Sequence, residues 1–132
     1  AVTVAPSPTA RQKLRCARIV TTITMFVRRM IRNLLENAER HGGGATAPIS
    51  VALTTTGTAI RIEVSDGGAG IPEEEREAIF APFYRVRGAS EADGGHGLGL
   101  SLVRQIAHRH GGEVRCTQSP SRGGLFEVFL PR

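Results

Sequence analysis

Three groups of residues have types and spacing suited to chemistry. Asn33 and Asn37 stand one helical turn apart, with Arg29 and Arg40 on the same stripe, in a segment whose apolar residues recur at helical spacing. Asparagine is a mediocre helix former because its amide competes for backbone bonds. Two on one stripe can offer amide oxygens to a cation and amide hydrogens to phosphate. Taken alone, the pair is explained more readily by hydrogen bonds to nearby loops or to water, where most side-chain hydrogen bonds go. The second group is Asp66-Gly67-Gly68-Ala69-Gly70-Ile71. Its glycines permit close approach of another group to the backbone, and its aspartate can accept a hydrogen bond from an amine or simply cap a turn. The third is Gly94-Gly95-His96-Gly97-Leu98-Gly99-Leu100, directly ahead of an amphipathic segment. Glycines at a helix N-terminus leave N–H groups and the positive dipole end free, which makes a phosphate cradle or a hinge.

Other chemistries lack their residues. No Gly-Lys-Ser/Thr follows the third group, so it is no P-loop, and no strand immediately precedes it, as a dinucleotide fingerprint requires. There is no Gly-x-Ser-x-Gly elbow. His41, His96, His108 and His110 have no Cys or His partner at metal-ligand spacing. Cys16 and Cys116 are too few for a disulfide scaffold, and read as reduced, packed thiols.

The elements that must position these groups follow from pattern. Residues 1–13 form a loose N-terminal segment, and residues 14–132 one domain. Leu14 to Val20 reads as a short strand. Ile23 to Arg40 reads as a helix with Phe26, Val27, Met30, Ile31, Leu34, Leu35 and Ala38 on its apolar face, ended by Gly42-Gly43-Gly44. Ile49–Thr55 and Thr58–Ser65 alternate as a hairpin around Gly57. Pro72 and the following glutamates start a short helix through Phe80. Residues 84–96 are polar and Gly-rich, as a loop is. Leu98 to His110 is a second helix, and Glu113–Thr117 and Gly124–Leu130 are closing strands. Such interleaving predicts an α/β fold, a two-layer sandwich with helices on one face of a mixed sheet.

Composition narrows the function classes. The 132 residues are 40% hydrophobic and 22% charged, which suits one soluble domain and excludes a wholly disordered chain. No apolar run approaches the roughly 20 residues of a membrane span, so no membrane contact by this stretch is expected. A start at Ala suggests a piece of something longer. The net charge of +5 is uneven: residues 1–65 hold 9 basic and 3 acidic side chains, and residues 66–132 hold 8 and 9. Only 5% of residues are aromatic, and no basic–aromatic alternation is present, so nucleic acid is not expected as a partner.

Taken in order, the motifs carry a resemblance. Asn33-Leu34-Leu35-Glu36-Asn37-Ala38 resembles the N box of the ATP-binding domain of sensor histidine kinases. Asp66-Gly67-Gly68-Ala69-Gly70-Ile71-Pro72 looks like that family's first glycine box, and Ile79-Phe80-Ala81-Pro82-Phe83-Tyr84-Arg85 its phenylalanine box. Gly95-His96-Gly97-Leu98-Gly99-Leu100 resembles its second glycine box. The resemblance runs from about Leu14 to Arg132. It implies a Bergerat-type ATP-binding sandwich with ATP and Mg²⁺ as cofactors. By resemblance, Asn37 coordinates Mg²⁺, while Asn33 and Arg40 lie by the phosphates. Asp66 binds the adenine amine, with Gly68, Gly70 and Ile71 beside the base. Residues 84–96 form the ATP lid, with Phe80 and Phe83 packing its base. Arg85 reaches the phosphates or a partner domain, and the stretch from Gly95 to Leu100 lines the phosphate tail.

The resemblance also implies a reaction: transfer of the γ-phosphoryl group of ATP to a histidine on a separate dimerisation domain, with a response regulator downstream. Relatives of this fold that hydrolyse ATP, and its anti-sigma-type serine kinases, usually carry Glu where this chain has Asn33, and asparagine is no base. Those two classes remain the alternatives, beside a nucleotide-dead domain used only for binding. The phosphoacceptor histidine motif is absent, His96 replaces a small hydroxyl residue, and Ile23–Phe26 lack a customary acid. The expectation is a monomeric, cytoplasmic domain of a protein anchored in the bacterial inner membrane.

Overall fold

The computed structural model describes residues 9–41, 48–84, 98–120 and 123–131. Helix α1 spans Ala10–His41 and helix α2 Gly99–Arg109. The strands are β1 (Ser50–Thr55), β2 (Ala59–Ser65), β3 (Glu113–Gln118) and β4 (Gly124–Pro131), in the order β1-β2-β4-β3. Two single 3₁₀ turns, Glu73–Glu75 and Ala78–Phe80, stand where one short helix was expected.

All four described strands pair antiparallel, so the sheet is not the mixed one expected. The difference traces to residues 14–20, predicted as a strand and found inside α1. Ala10 to Leu14 are good helix formers, and lengthening a helix already nucleated is far easier than starting one. Residues 10–13, expected to be loose, belong to the same helix.

The core lies between the two helices and one face of the sheet. Met30, Leu34 and Ala38 of α1 are buried, with Phe26, Val27, Ile31 and Leu35 partly so, which is the predicted stripe. Val103, Ile106 and Ala107 of α2 join them. Burial alternates along β4, where Phe126, Val128 and Leu130 face inward. In register, Val64 lies beside Phe126 and Ile62 beside Val128. Burying each such side chain contributes about 1.5–3 kcal/mol. On the opposite face, Arg61 and Arg115 flank the Phe129 ring at 5.7 and 5.4 Å from its centroid.

Turns fix the ends of these elements. Thr56 closes the β1–β2 hairpin, its amide donating to Ala59 O at 2.8 Å and its Oγ1 accepting from the Ala59 amide at 3.0 Å. α2 stops at Gly111, whose φ of +75° suits glycine. The Gly112 amide then donates back to Ala107 O at 2.8 Å and the Gly111 amide to His108 O at 3.0 Å, a Schellman closure.

Candidate nucleotide-binding site

The two helices run antiparallel. Phe26 meets His110 edge-on with ring centroids 6.3 Å apart, and Asn33 lies against Gly99 at the other end of α2. A Cβ on Gly99 would stand 4.0 Å from Asn33 Oδ1. The cap residue, Leu98, supplies no side-chain acceptor, so the first amides of α2 have no side-chain cap among the described residues. Asn33 Nδ2 is buried and has no hydrogen-bond partner among the described residues. Such a donor costs stability unless something satisfies it. Its place beside an uncapped helix N-terminus suits an anionic oxygen.

Asp66 ends β2 and is 7% exposed. Its Oδ1 accepts from the Gly68 amide at 2.9 Å and the Gly124 amide at 3.1 Å, and its own amide donates to Gly124 O at 3.0 Å. The carboxylate is therefore oriented by two backbone donors, as the turn-capping reading of the sequence expects. Its second oxygen, Oδ2, stands 3.2 Å from where a Gly124 Cβ would be. Gly70 has a φ of +77°, which carries the chain away from Asp66 into the 3₁₀ turns. Ile71 packs against the core, and its carbonyl accepts from Arg76 Nε at 3.0 Å.

Two supports go beyond what the sequence indicated. Gly123 and Gly124 fit the resemblance as the opening of the last strand, but their close approach to Asp66 was not foreseen; adjacent glycines opening a strand signal such an approach. The second is Arg104 on α2, which pairs with Glu77 and lies 5.6 Å from the Phe80 ring centroid. It ties the segment after the first glycine box to the helix whose N-terminus forms the candidate cradle. Tyr84 Oη adds a 2.6 Å bond to Glu75 Oε1. A contact between residues 27 positions apart leaves no local trace in a sequence.

Of the other expected site residues, Asn37 is half-buried and Arg40 exposed on α1. Leu98 is 43% exposed, and Leu100 packs against the core. Arg85, Gly95, His96 and Gly97 lie outside the described residues, as do Gly42–Gly44 and most of the expected lid. Phe83, expected to pack the lid base, is 71% exposed and has a φ of 63°. Cys116 is a free, buried thiol; burial pushes it up from 9.0 to about 11, Asp66 adding to the rise and Arg76 opposing it. Among the described residues no group of three or more His, Cys, Asp and Glu could hold a metal ion. No helix among them is long and apolar enough to cross a membrane.

Two helices on one face of a sheet, a buried amide beside the N-terminal end of α2 and a carboxylate oriented between glycines make up an α/β sandwich with one candidate binding site. Residues 22–132 match the family described as histidine kinase-, DNA gyrase B- and HSP90-like ATPases, and the chain belongs to it. It is 37% identical over 103 residues to the signal transduction histidine-protein kinase AfsQ2 of Streptomyces coelicolor, covering 78% of this chain and 19% of AfsQ2. The mycobacterial sensor histidine kinase MprB has a similar solved structure, with a TM-score of 0.68 and 30% identity, covering 78% of this chain and 70% of that one. So does the ATP-binding domain of PrrB from Mycobacterium tuberculosis, with a TM-score of 0.64 and 32% identity, covering 81% and 67%. The match marks the chain as a catalytic domain of the sensor histidine kinase type. It spans 19% to 26% of the length of the first curated relatives it matches.

Proposed function

We propose that this chain binds ATP with Mg²⁺ and delivers the γ-phosphoryl group to a histidine on a dimerisation domain of the same protein. The observation that carries this reading is Asn33: its buried, unpartnered amide beside Gly99 and the open N-terminus of α2, in a chain of this family. Phosphoryl transfer needs positioning and charge stabilisation more than covalent help from the protein. Asn33 Nδ2 and the first amides of α2 supply donors for phosphate oxygens. Asp66, accepting from Gly68 and Gly124, has its remaining acceptor capacity for the amine of adenine. Gly68, Gly70 and Ile71 flank that base. Arg40 and Arg85 add positive charge by the phosphates, and the segment Gly95 to Leu100 completes the cradle.

Magnesium, when bound at Asn37 Oδ1 and the phosphates, would neutralise charge on the triphosphate. The acceptor imidazole nitrogen attacks the γ-phosphorus, the bond to the β–γ bridging oxygen breaks, and ADP leaves. Asn33 cannot deprotonate water, so steady hydrolysis by the domain alone should be slow, which separates this reading from the ATP-hydrolysing and serine-kinase classes. The domain is monomeric and cytoplasmic, the full protein is anchored in the inner membrane, and a response regulator takes the phosphoryl group onward.

Thermal unfolding with a non-hydrolysable ATP analogue, with and without Mg²⁺, tests the site. At 100 times the dissociation constant the analogue should add roughly 2.7 kcal/mol, a shift of several degrees at this size. A shift that requires Mg²⁺ supports the reading, and none at millimolar analogue overturns it. Transfer of label from [γ-³²P]ATP to the full-length protein's dimerisation domain then tests the acceptor.

A further inference from the structure

Arg104 sits at the border of the buried face of α2. Val103, Ile106 and Ala107 pack into the core, while the half-buried side chain of Arg104 turns toward the 3₁₀ turn Ala78–Phe80. Its guanidinium makes two contacts there. Nη2 donates to Glu77 Oε1, and Cζ stands 5.6 Å from the centroid of the Phe80 ring, within cation–π reach. Glu77 is the cap residue of that turn, and its carbonyl accepts from the Phe80 amide at 3.4 Å. Arg104 therefore grips a single turn of chain at its cap and at its last residue.

Each side of this grip leads to one end of the candidate site. Phe80 is buried and meets Phe126 edge-on, with ring centroids 6.2 Å apart. Phe126 stands two residues along β4 from Gly124, whose amide holds Asp66 Oδ1 at 3.1 Å. In the other direction, Arg104 is five residues from Gly99 on the backbone ladder of α2, about 7.5 Å along its axis. Gly99 lies against Asn33. A route of packed rings and regular backbone thus joins Asp66 to Asn33, with Arg104 in its middle.

Stability gives this arrangement little reason. Glu77 is 80% exposed, and an ion pair so open to water is screened by salt and adds little to folding. Position is another matter. ATP must meet Asp66 with its base and the first amides of α2 with its phosphates at once. A displacement of about 1 Å, caused far from the reacting atoms, can cost about a hundredfold in rate. The planar guanidinium suits the task, because it meets a carboxylate and a ring face together, as the point charge of lysine does less well.

We propose that Arg104 is a positioning residue for the nucleotide. Through Glu77 and Phe80 it holds the N-terminal end of α2 at the spacing from Asp66 that one ATP molecule spans, and it touches no part of the ligand itself. This role rests on the ATP-binding reading above.

Arg104→Met and Arg104→Lys, made in the full chain, test it. The readouts are the melting temperature and the affinities for adenosine and for a non-hydrolysable ATP analogue with Mg²⁺. Adenosine engages only the Asp66 end, so it does not sense the spacing. Arg104→Met should weaken the analogue about tenfold and leave adenosine within about twofold. It should lower the melting temperature by no more than about 2 °C. Arg104→Lys, which keeps the charge, should recover part of the lost affinity. Equal weakening of adenosine and the analogue overturns the proposal, as the mark of a generally loosened domain. Unchanged binding of both overturns it too, as the mark of a plain surface ion pair. Should Arg104→Met fail to fold, Glu77→Gln decides, since it removes only the exposed partner: a selective loss of analogue affinity supports the proposal, and none overturns it. If the unaltered chain binds no analogue, the ATP-binding reading falls and the role of Arg104 with it, whereas unchanged binding in Arg104→Met overturns the role of Arg104 alone.

Discussion

Gly123 and Asp66 touch through their backbones: a Cβ on Gly123 would stand 1.8 Å from the Asp66 carbonyl oxygen and 2.6 Å from its carbonyl carbon. No flexible side chain is there to move aside. β2 and β4 are paired along seven positions, and this contact lies just beyond the last of them, Ser65 with Leu125. Gly123→Ala must therefore push the strands apart or break the bonds to Asp66. The expected loss is at least about 3 kcal/mol in chemical denaturation, the upper end for overpacking. Gly57→Ala is the control, because nothing lies within 4 Å of its Cβ position. It should change stability by less than about 0.5 kcal/mol. Equal effects from the two would remove the argument for close packing at Asp66.

Asp66 itself separates structure from recognition. Asp66→Ala leaves the Gly68 and Gly124 amides without their acceptor and should cost about 1–3 kcal/mol. Asp66→Asn keeps one carbonyl oxygen for those amides but turns an acceptor-only group into one that also donates. It should lose affinity for an ATP analogue more than for the GTP analogue. Titration of both nucleotides checks this, and equal loss for the two would count against Asp66 as the adenine reader.

The stripe from Phe26 to Ala38 was legible because a period of 3.6 repeats over several turns, and the hairpin because alternation breaks at Gly57. Asn33 and Asp66 stood out as candidates by residue type and order. What the sequence did not show is long-range or locally ambiguous. The link from Asp66 to Gly124 spans 58 positions and that from Arg104 to Glu77 spans 27. Leu14 to Val20 mixes helix formers with β-branched residues, and a stretch that short fits either period. The mixed or antiparallel character of the sheet turns on that one segment.

Cys116 sets an alkaline limit. Its thiol is near 11 in the folded chain and near 9.0 in a free one, chiefly through burial. Between those values the unfolded chain loses a proton that the folded chain keeps. Unfolding is then favoured, and stability falls as pH rises from about 9 to 11. The thiol's share of that loss is on the order of 2 kcal/mol. Cys116→Ala removes the titration but leaves a small cavity beside Phe126. It should be less stable at pH 7 yet have a flatter profile above pH 9 in urea unfolding. Parallel profiles for the two proteins would exclude the thiol as the cause.

Asn33 and a leucine in its place are close in size, and that permits a test with opposite signs. In the protein without nucleotide, Asn33 Nδ2 is a buried donor with no described partner, a burden of about 1–3 kcal/mol. Leucine removes the donor and is also the better helix former. Asn33→Leu should therefore raise the melting temperature of the free domain by several degrees. The same change removes the donor beside Gly99 that we propose reaches the nucleotide phosphates, so the added shift from an ATP analogue with Mg²⁺ should shrink. Asn37→Ala, farther along the stripe and half-buried, should abolish the Mg²⁺ dependence with little gain in the free protein. A lower melting point for Asn33→Leu without nucleotide would mean that the amide is satisfied in solution. An unchanged nucleotide shift would mean that it serves packing alone.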